Sequence, residues 1–583
     1  MMRLRSIRRL RRLVAGGLAV AVVSGCAGIP SSGPVTKVAD DGGLGQSAVR
    51  YAPARPLPGA TPEQIVRGYL DAMLAFPASS RTASAFLTRR AARDWVSSSQ
   101  VRIYSGPEVG GALDVDGRPS AAEDPSEPVK VRLGFTEAAR LDRQGRYARR
   151  AVPAALTYTL QQVKGEWRIT DPQDGLLVNE KFFTDYFRSF DLYFFDRPGR
   201  RLVPDPVYLV VGDQLATTLL TSLAGGPAPD SVESMRTYVP PRTGLRPSVP
   251  VSDDGVADVE FTDDLADATD TARDHLSAQV VWTLRQAPGV EGVRLLGGDT
   301  ALTAGGDEIQ PVQAWGGYGP STARGRTYAV VENRVAEIDD GRIIPISGRW
   351  GKNARGAELV AVSQSGVAGV LPGDDAVRVT SRDGSAPLTV GGNDFIEPDW
   401  DSDGRLWLVD RAAGGTRVRV VSDQQQVQIA VPGLARLDVT SFKISPDDTR
   451  YAVTAGRRMY VGEVVRDVKD QVLGLGLPSR VFTTVSGPRA ASWSSPTELS
   501  FLGDSQAGVQ IYQVQIDGSR TTSEVARSGS LLPDVRARGL AIAQGGTGTL
   551  HVSDARRRLW YLPRGGSWRM IDTPPATGLS YGR

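Results

Sequence analysis

The sequence predicts a multi-domain chain in which two α+β domains precede an all-β propeller of five or six blades. Three observations carry this. The first is length: 583 residues with one cysteine, at about 150 residues per domain, make three or four domains that burial rather than disulfides must stabilise. The second is a change of texture, from helix-then-strand patterns to short strands and polar turns after about Trp315. The third is recurrence inside that last part. Leu359-Val360-Ala361-Val362-Ser363, Pro398 to Trp407, Phe442 to Asp448, Ala491 to Pro496 and Leu540 to Gly545 each join a short apolar strand to a polar turn. Their spacing, roughly 40 to 50 residues, is that of propeller blades, whereas two stacked sandwiches would not need so even a period.

The chain begins with arginines (Arg3, Arg5, Arg8, Arg9, Arg11, Arg12) and an apolar run from Leu13 to Val23. That is the basic and hydrophobic layout of a secretory signal, and the run is only about half of the ~20 residues a membrane-spanning helix needs. Small residues then lead to a cysteine, Val23-Ser24-Gly25-Cys26. This resembles the lipobox of bacterial lipoproteins, which implies cleavage before Cys26, S-diacylglyceryl modification of its thiol and N-acylation of the new amine. A thiolate is the side-chain nucleophile suited to such alkylation. The formal net charge of +3 includes six arginines and no acids ahead of Cys26, so the mature chain carries about −3. A mildly acidic chain gives no electrostatic footprint for nucleic acid.

Residues 1–25 thus read as a lipoprotein signal peptide and 26–60, rich in Gly, Pro, Ser and Ala, as a lipidated flexible tether. Thr61-Pro62-Glu63-Gln64 supplies an N-cap, proline at the first helical position and a capping-box glutamine. Ile65, Tyr69, Met73 and Phe76 fall on one face of the helix that follows. A second helical stretch around Arg81 to Val96 gives way to strands over 101–104, 129–135, 151–160 and 166–170, with Lys164-Gly165 as a hairpin tip. Helices followed by a curved antiparallel sheet over 61–188 resemble the cone-shaped NTF2-like domains.

A second unit spans 189–305. Asp191 to Phe195 and Arg201 to Pro204 are strand-like around the turn Arg197-Pro198-Gly199. Leu215, Leu219 and Leu223 mark a helix stopped by Gly225-Gly226-Pro227, and a strand from Gly255 to Phe261 leads to a helix over Asp274–Gln286. This order resembles the GerMN domain of spore-germination proteins and lipoproteins. The propeller is assigned to 315–583.

Chemistry-bearing motifs are few. Asp399-x-Asp401-x-Asp403-Gly404 with Asp410 has the spacing of a calcium loop, yet Pro398 and the alternating Arg405-Leu406-Trp407-Leu408-Val409 suit a β-hairpin, in which Asp and Gly form the turn. Gly578-Leu579-Ser580-Tyr581-Gly582 matches the nucleophile-elbow pattern, but the two histidines, His275 and His551, both precede it. His275 is expected at a helix surface or cap and His551 in a strand. The acids Asp263, Asp264, Asp267 and Asp270 suit the start of a helix. Gly474-Leu475-Gly476 lacks the rest of a dinucleotide loop. No catalytic, cofactor-binding or metal residue is therefore assigned, and Cys26 is the one modified site expected.

The order of lipobox, two α+β domains and propeller resembles that of the actinobacterial LpqB lipoprotein family. So do the phrases LYFFDRPGRRLVPDPVYLVV from Leu192 and QLATTLLTSLAGGP from Gln214. The resemblance implies a lipid-anchored protein on the extracytoplasmic face of the cell membrane. Its implied role is accessory to the MtrAB two-component system, through contact with the extracytoplasmic region of the sensor histidine kinase MtrB. The alternative from a different class is a glycan-binding protein or glycoside hydrolase that uses the propeller mouth, since two carboxylates alone can cleave a glycoside.

Overall fold

The computed structural model describes residues 51–582 apart from 76–79, 107–112, 117–126, 240–247, 263–267, 299, 304–305, 321–324, 340, 534, 543–548 and 564. The lipobox Val23, Ser24, Gly25 and Cys26, the signal segment, most of the tether, Phe76, Asp263, Asp264, Asp267, Gln544 and Gly545 lie outside the described residues. The described residues form two compact units. One is drawn from the described residues of 51–97, 113–134 and 155–173, the other from those of 98–106, 135–154 and 174–582.

In the first unit the helix Pro62–Ala72 starts where its capping box dictates: Thr61 accepts from the Gln64 amide and the Gln64 side chain accepts from the Thr61 amide. Its apolar face is fully buried at Ile65, Val66, Tyr69 and Leu70. Tyr69 meets Trp95 and Tyr158 at ring-centroid distances of 5.7 and 5.9 Å, and Trp95 Nε1 donates to Gln173 O at 3.0 Å. The helical stretch expected over Arg81–Val96 is two helices, Ser80–Ser84 and Arg89–Asp94, because Thr88 turns outward to cap the second. Lys164 and Gly165 have φ of 56° and 82°, the left-handed pair a two-residue hairpin turn requires, and Val163 faces Glu166 across it.

In the second unit, Val101–Ser105 pairs antiparallel with residues 136–141 and parallel with Leu176–Asn179. A short helix, Glu180–Tyr186, capped by Asn179, then leads into the α+β lobe. There Phe187–Asp196 and Leu202–Val210 form the expected hairpin, and Val256–Phe261 lies parallel to Gly292–Gly297. Helix Asp270–Leu284 lies between those two parallel strands in the chain. Leu192, Phe194 and Val203 meet Leu219, Leu223, Leu276 and Val280 in one core. The helix begins four residues before Asp274, at Asp270, capped by Thr269. That shift corrects the expectation for His275, which is 6% exposed. Its ring packs between Phe195 at 4.4 Å and Tyr238 at 4.3 Å. Burial and the nearby Arg236 hold its pKa below the usual histidine value. Trp315 and Tyr318 pack against this lobe.

The propeller has six blades. Five are sheets in chain order: Leu359–Gly391, Asp399–Gln428, Val439–Val481, Ser486–Ser523 and Ala537–Met570. The first blade is composite, with Arg326–Val331, Arg334–Asp339 and Arg342–Pro345 completed by Ala576–Gly582 from far downstream. Six apolar clusters fill the joints between neighbouring blades. One of them sets Ala329 and Ile338 of the first blade against Ala541 and Leu559 of the sixth, so the ring is closed.

The recurring phrases are the innermost strands of the second to sixth blades, and the elbow-like Gly578 to Gly582 is the innermost strand of the first. Ser580 is 1% exposed within it. Of the calcium-like pattern, Asp401 serves the hairpin instead. Asp401 Oδ1 accepts from the amides of Asp403 and Arg405 at 3.1 and 2.8 Å, and its Oδ2 accepts from Trp407 Nε1 at 3.2 Å. Asp554 does the same in the sixth blade with Arg556 N, Arg558 N and Trp560 Nε1. A carboxylate two and four residues before the amides it receives fixes a tight turn.

Candidate binding cavity where the α+β lobe meets the propeller

Arg200 and Arg201 stand beside the turn that joins the lobe's two long strands, and both reach the propeller. Arg200 Nη2 lies 3.0 Å from Asp403 Oδ2 and 2.9 Å from Asp470 Oδ2. Arg201 Nη1 lies 2.9 Å from Asp448 Oδ2 and donates to Ser402 Oγ at 2.6 Å. Behind them Arg405 and Arg466 tie Asp403, Asp470 and Asp401 together within the propeller. Asp410 is paired separately with Arg417 and Arg419, so the four aspartates of the sequence pattern do not converge on one point.

A second contact is deeper. Arg450, 3% exposed, belongs to a wholly buried strand of the fourth blade. Its Nη2 donates to Pro204 O of the lobe at 3.0 Å, and its Nε lies 3.6 Å from Glu463 Oε1. Glu463 in turn accepts from Ser231 and Ser234 of the lobe at 3.0 and 2.5 Å. Burial pushes the Glu463 carboxyl up, against the pull of Arg450 and the two serines.

Beside this contact is a cavity of about 550 Å³, bounded by Arg146, Asp205 and Ser231 on one side and by Arg450, Glu463 and Asp517 on the other. It opens because the outer edge of the fourth blade is split. Val472–Leu475 pairs with one end of strand Arg458–Arg466 and Ser479–Val481 with the other, and Gly476 and Leu477 between them line the opening. Arg146 Nε is neutralised by Asp205 Oδ2 at 2.9 Å, and its Nη2 donates to Gly226 O at 2.5 Å. Asp517 Oδ1 accepts from Ser519 N at 2.8 Å, while its Oδ2 is buried without a hydrogen-bond partner. Burial above all, with repulsion from Asp205, pushes Asp517 up to about 6. Burial likewise pushes Asp191 up to about 6, although Arg450 pulls it down.

Stability follows from those shifts with a definite sign. A carboxyl whose folded pKa is raised favours the fold below its unfolded pKa and loses that contribution as pH rises through the folded value. Asp517→Asn keeps the Oδ1 acceptor and removes the charge facing Asp205. It is expected to stabilise the fold by roughly 1–3 kcal/mol above about pH 6.5, with the gain vanishing below about pH 4. Melting curves across that range check it; an unchanged or lowered melting temperature at neutral pH would exclude a strained charge there.

A second space, within the propeller, is much tighter. Where Asp399, Lys443, Ser492, Leu540 and Tyr581 converge the space is about 10 Å³, room for about one water molecule. Asp399 Oδ2 there accepts from Ile444 N at 2.7 Å, and Lys443 is paired with Glu397. His551 lies in a strand of the sixth blade as expected, with Nδ1 3.0 Å from Thr327 Oγ1. Burial lowers its pKa to about 4, so the ring is neutral. Among the described residues no hydrogen bond joins it to Ser580, and no group of three carboxylate, histidine or cysteine side chains stands ready for a metal ion.

The cavity was not assigned from the sequence. Its residues are single charges far apart in the chain, and the available signals were an arginine inside RYAVTA at Arg450 and a glutamate inside YVGEVV at Glu463.

Three family models match the chain in the order of its lobes. They are described as "Lipoprotein LpqB, N-terminal domain" over residues 55–184, "Sporulation and spore germination" over 191–303 and "Lipoprotein LpqB beta-propeller domain" over 333–577. A lipoprotein named LpqB from Thermobifida fusca is 28% identical over 95% of this chain and 97% of its own length. One of the same name from Mycolicibacterium smegmatis is 27% identical over 94% of each. Among solved structures, TolB from Acinetobacter baumannii is similar over 51% of this chain and 85% of its own, at 12% identity and a TM-score of 0.34. At that score the propeller assignment rests on the six sheets themselves and on the family model.

Proposed function

The chain belongs to the LpqB lipoprotein family, and from that premise we propose that it is a non-catalytic accessory protein held by a lipid at the extracytoplasmic face of the cell membrane. In this reading it modulates a two-component sensor kinase of the MtrAB type, by contact with the extracytoplasmic region of MtrB, in cell-envelope homeostasis and division. The observation that carries it is the pairing of a lipobox at Cys26 with a chain whose described residues form docked surfaces. The carboxylates brought together at the lobe–propeller contact are committed to arginines, serines and backbone amides. Among the described residues no helix is long and apolar enough to cross a membrane; in this reading acyl groups on Cys26 are the anchor. Two chains hold a protein on a bilayer where one does so only marginally.

The test is co-purification from detergent-solubilised membranes. The wild-type chain is expected to bring down the kinase ectodomain and, on deletion, to alter phosphorylation of the cognate regulator; the absence of both effects would end the reading. Cys26→Ala is expected to abolish acylation by mass spectrometry and to move the protein from the membrane fraction to the soluble fraction. A Cys26→Ala protein still wholly membrane-bound would show that the thiol is not the anchor. The glycan-cleaving alternative would need room for a sugar ring, and the space bounded by Asp399, Lys443, Ser492, Leu540 and Tyr581 is that of a water molecule.

A further inference from the structure

We propose that the outer edge of the fourth blade, residues 468–482, rests on an anionic lipid surface. This goes beyond the kinase contact and takes only the lipid anchor from the reading above; the test removes the acyl groups, so the two can fail separately. Four of the fifteen large apolar side chains exposed among the described residues fall in this one short stretch. They are Val468, Leu473, Leu477 and Phe482, at 62, 57, 72 and 38%. Clustered apolar exposure of this kind marks a contact surface. Leu473 sits at the bulge where Val465 and Arg466 pair with Gly474 and Val472. Leu477 is in the split of the outer strand, and Phe482 follows the last pair, Met459 with Val481. At about 3.3 Å per residue the partner strand from Arg466 to Met459 sets them along a row of roughly 20–25 Å.

Charge selects what covers that row. The other exposed side chains from Val468 to Phe482 are Lys469, Gln471, Ser479 and Arg480, two cations and no acid in a mature chain of net negative charge. The aspartates beside them are committed. Asp467 Oδ1 accepts from Lys469 N and Gln471 N at 2.9 and 2.8 Å, and Asp470 is held by Arg405 and Arg466. The Arg480 guanidinium lies over the Phe482 ring, 4.9 Å from its centroid, a charged head above an apolar body that suits the boundary between headgroups and acyl chains. The bulge, the split and Pro478, which has no amide proton, break the edge as a template for another β-strand. What remains on offer is side chains, apolar ones flanked by cations, the chemistry of an interfacial lipid contact.

Sedimentation with vesicles of phosphatidylcholine, alone or with a third of phosphatidylglycerol, tests this on residues 26–583 carrying Cys26→Ser. Binding to the mixed vesicles at low salt is expected, and binding roughly 30-fold weaker to the neutral ones, since each cation contributes about a factor of five. Lys469→Glu with Arg480→Glu should erase that difference. Leu473→Ser with Leu477→Ser, at exposed positions where folding is not at stake, should weaken binding to both kinds roughly tenfold. Hydrogen exchange is expected to slow over 468–482 when mixed vesicles are added, and to stay unchanged over 229–234 of the lobe, where Asp230 and Glu233 are exposed. No sedimentation with the mixed vesicles by a chain with a normal melting curve would overturn the proposal. So would equal affinity for the two kinds of vesicle, or undiminished binding in either double variant. Slowed exchange over 468–482 with the kinase ectodomain but not with vesicles would assign the edge to a protein partner instead.

Discussion

Arg450→Ala is expected to destabilise the protein by roughly 3–5 kcal/mol, and denaturant unfolding followed by tryptophan fluorescence is the measurement. The guanidinium is nearly without solvent and stands between Glu463, Asp447 and the carbonyl of Pro204. Truncating it leaves two buried carboxylates without a counter-charge, which costs far more than the pair contributes when intact. It also removes the donor that holds Pro204, so the lobe and the propeller are expected to unfold less cooperatively. Glu463→Gln in the Arg450→Ala background should recover part of the loss, because it removes one orphaned charge and keeps an acceptor for Ser231 and Ser234. A loss under about 1 kcal/mol in the single variant would mean that water or a rearranged neighbour compensates the carboxylates.

Removal of residues 576–583 is expected to have the larger effect, loss of the propeller's main unfolding transition in calorimetry. That segment supplies the innermost strand of the first blade, paired from Arg326↔Gly582 to Val331↔Ala576. Without it Arg326–Val331 becomes an open edge, and the cluster joining the sixth blade to the first loses Ala576 and Leu579. A propeller is stable as a ring because every blade has two neighbours, and the truncated chain would have two exposed blade faces. A transition within a few degrees of the full chain would show that the closing strand is dispensable.

Much of this architecture was readable because its signals are local. An aspartate that receives the amides two and four residues on, followed by a tryptophan at the sixth, leaves a visible phrase at Asp401 to Trp407. The five recurring phrases mark the inner strands of the second to sixth blades, while the inner strand of the first, Gly578 to Gly582, carries only an elbow-like pattern. The helix does start among the acids that suit such a position, at Asp270 behind its cap Thr269 and not at Asp274, whereas the burial of His275 depends on Phe195 and Tyr238, distant in the chain and without a local signal. The lobe–propeller contact had no local signal at all. Arg200 and Arg201 find Asp403, Asp448 and Asp470 across some 200 to 270 residues, and a lone charge in a strand does not announce its partner.

The downstream origin of the closing strand also fixes an order of events. The first blade's other strands leave the ribosome roughly 250 residues before their companion does, and during that interval the growing ring can only wait, gaping. Assembly therefore has a defined last stitch, and any factor that shields nascent polypeptides has one specific unfinished sheet to protect.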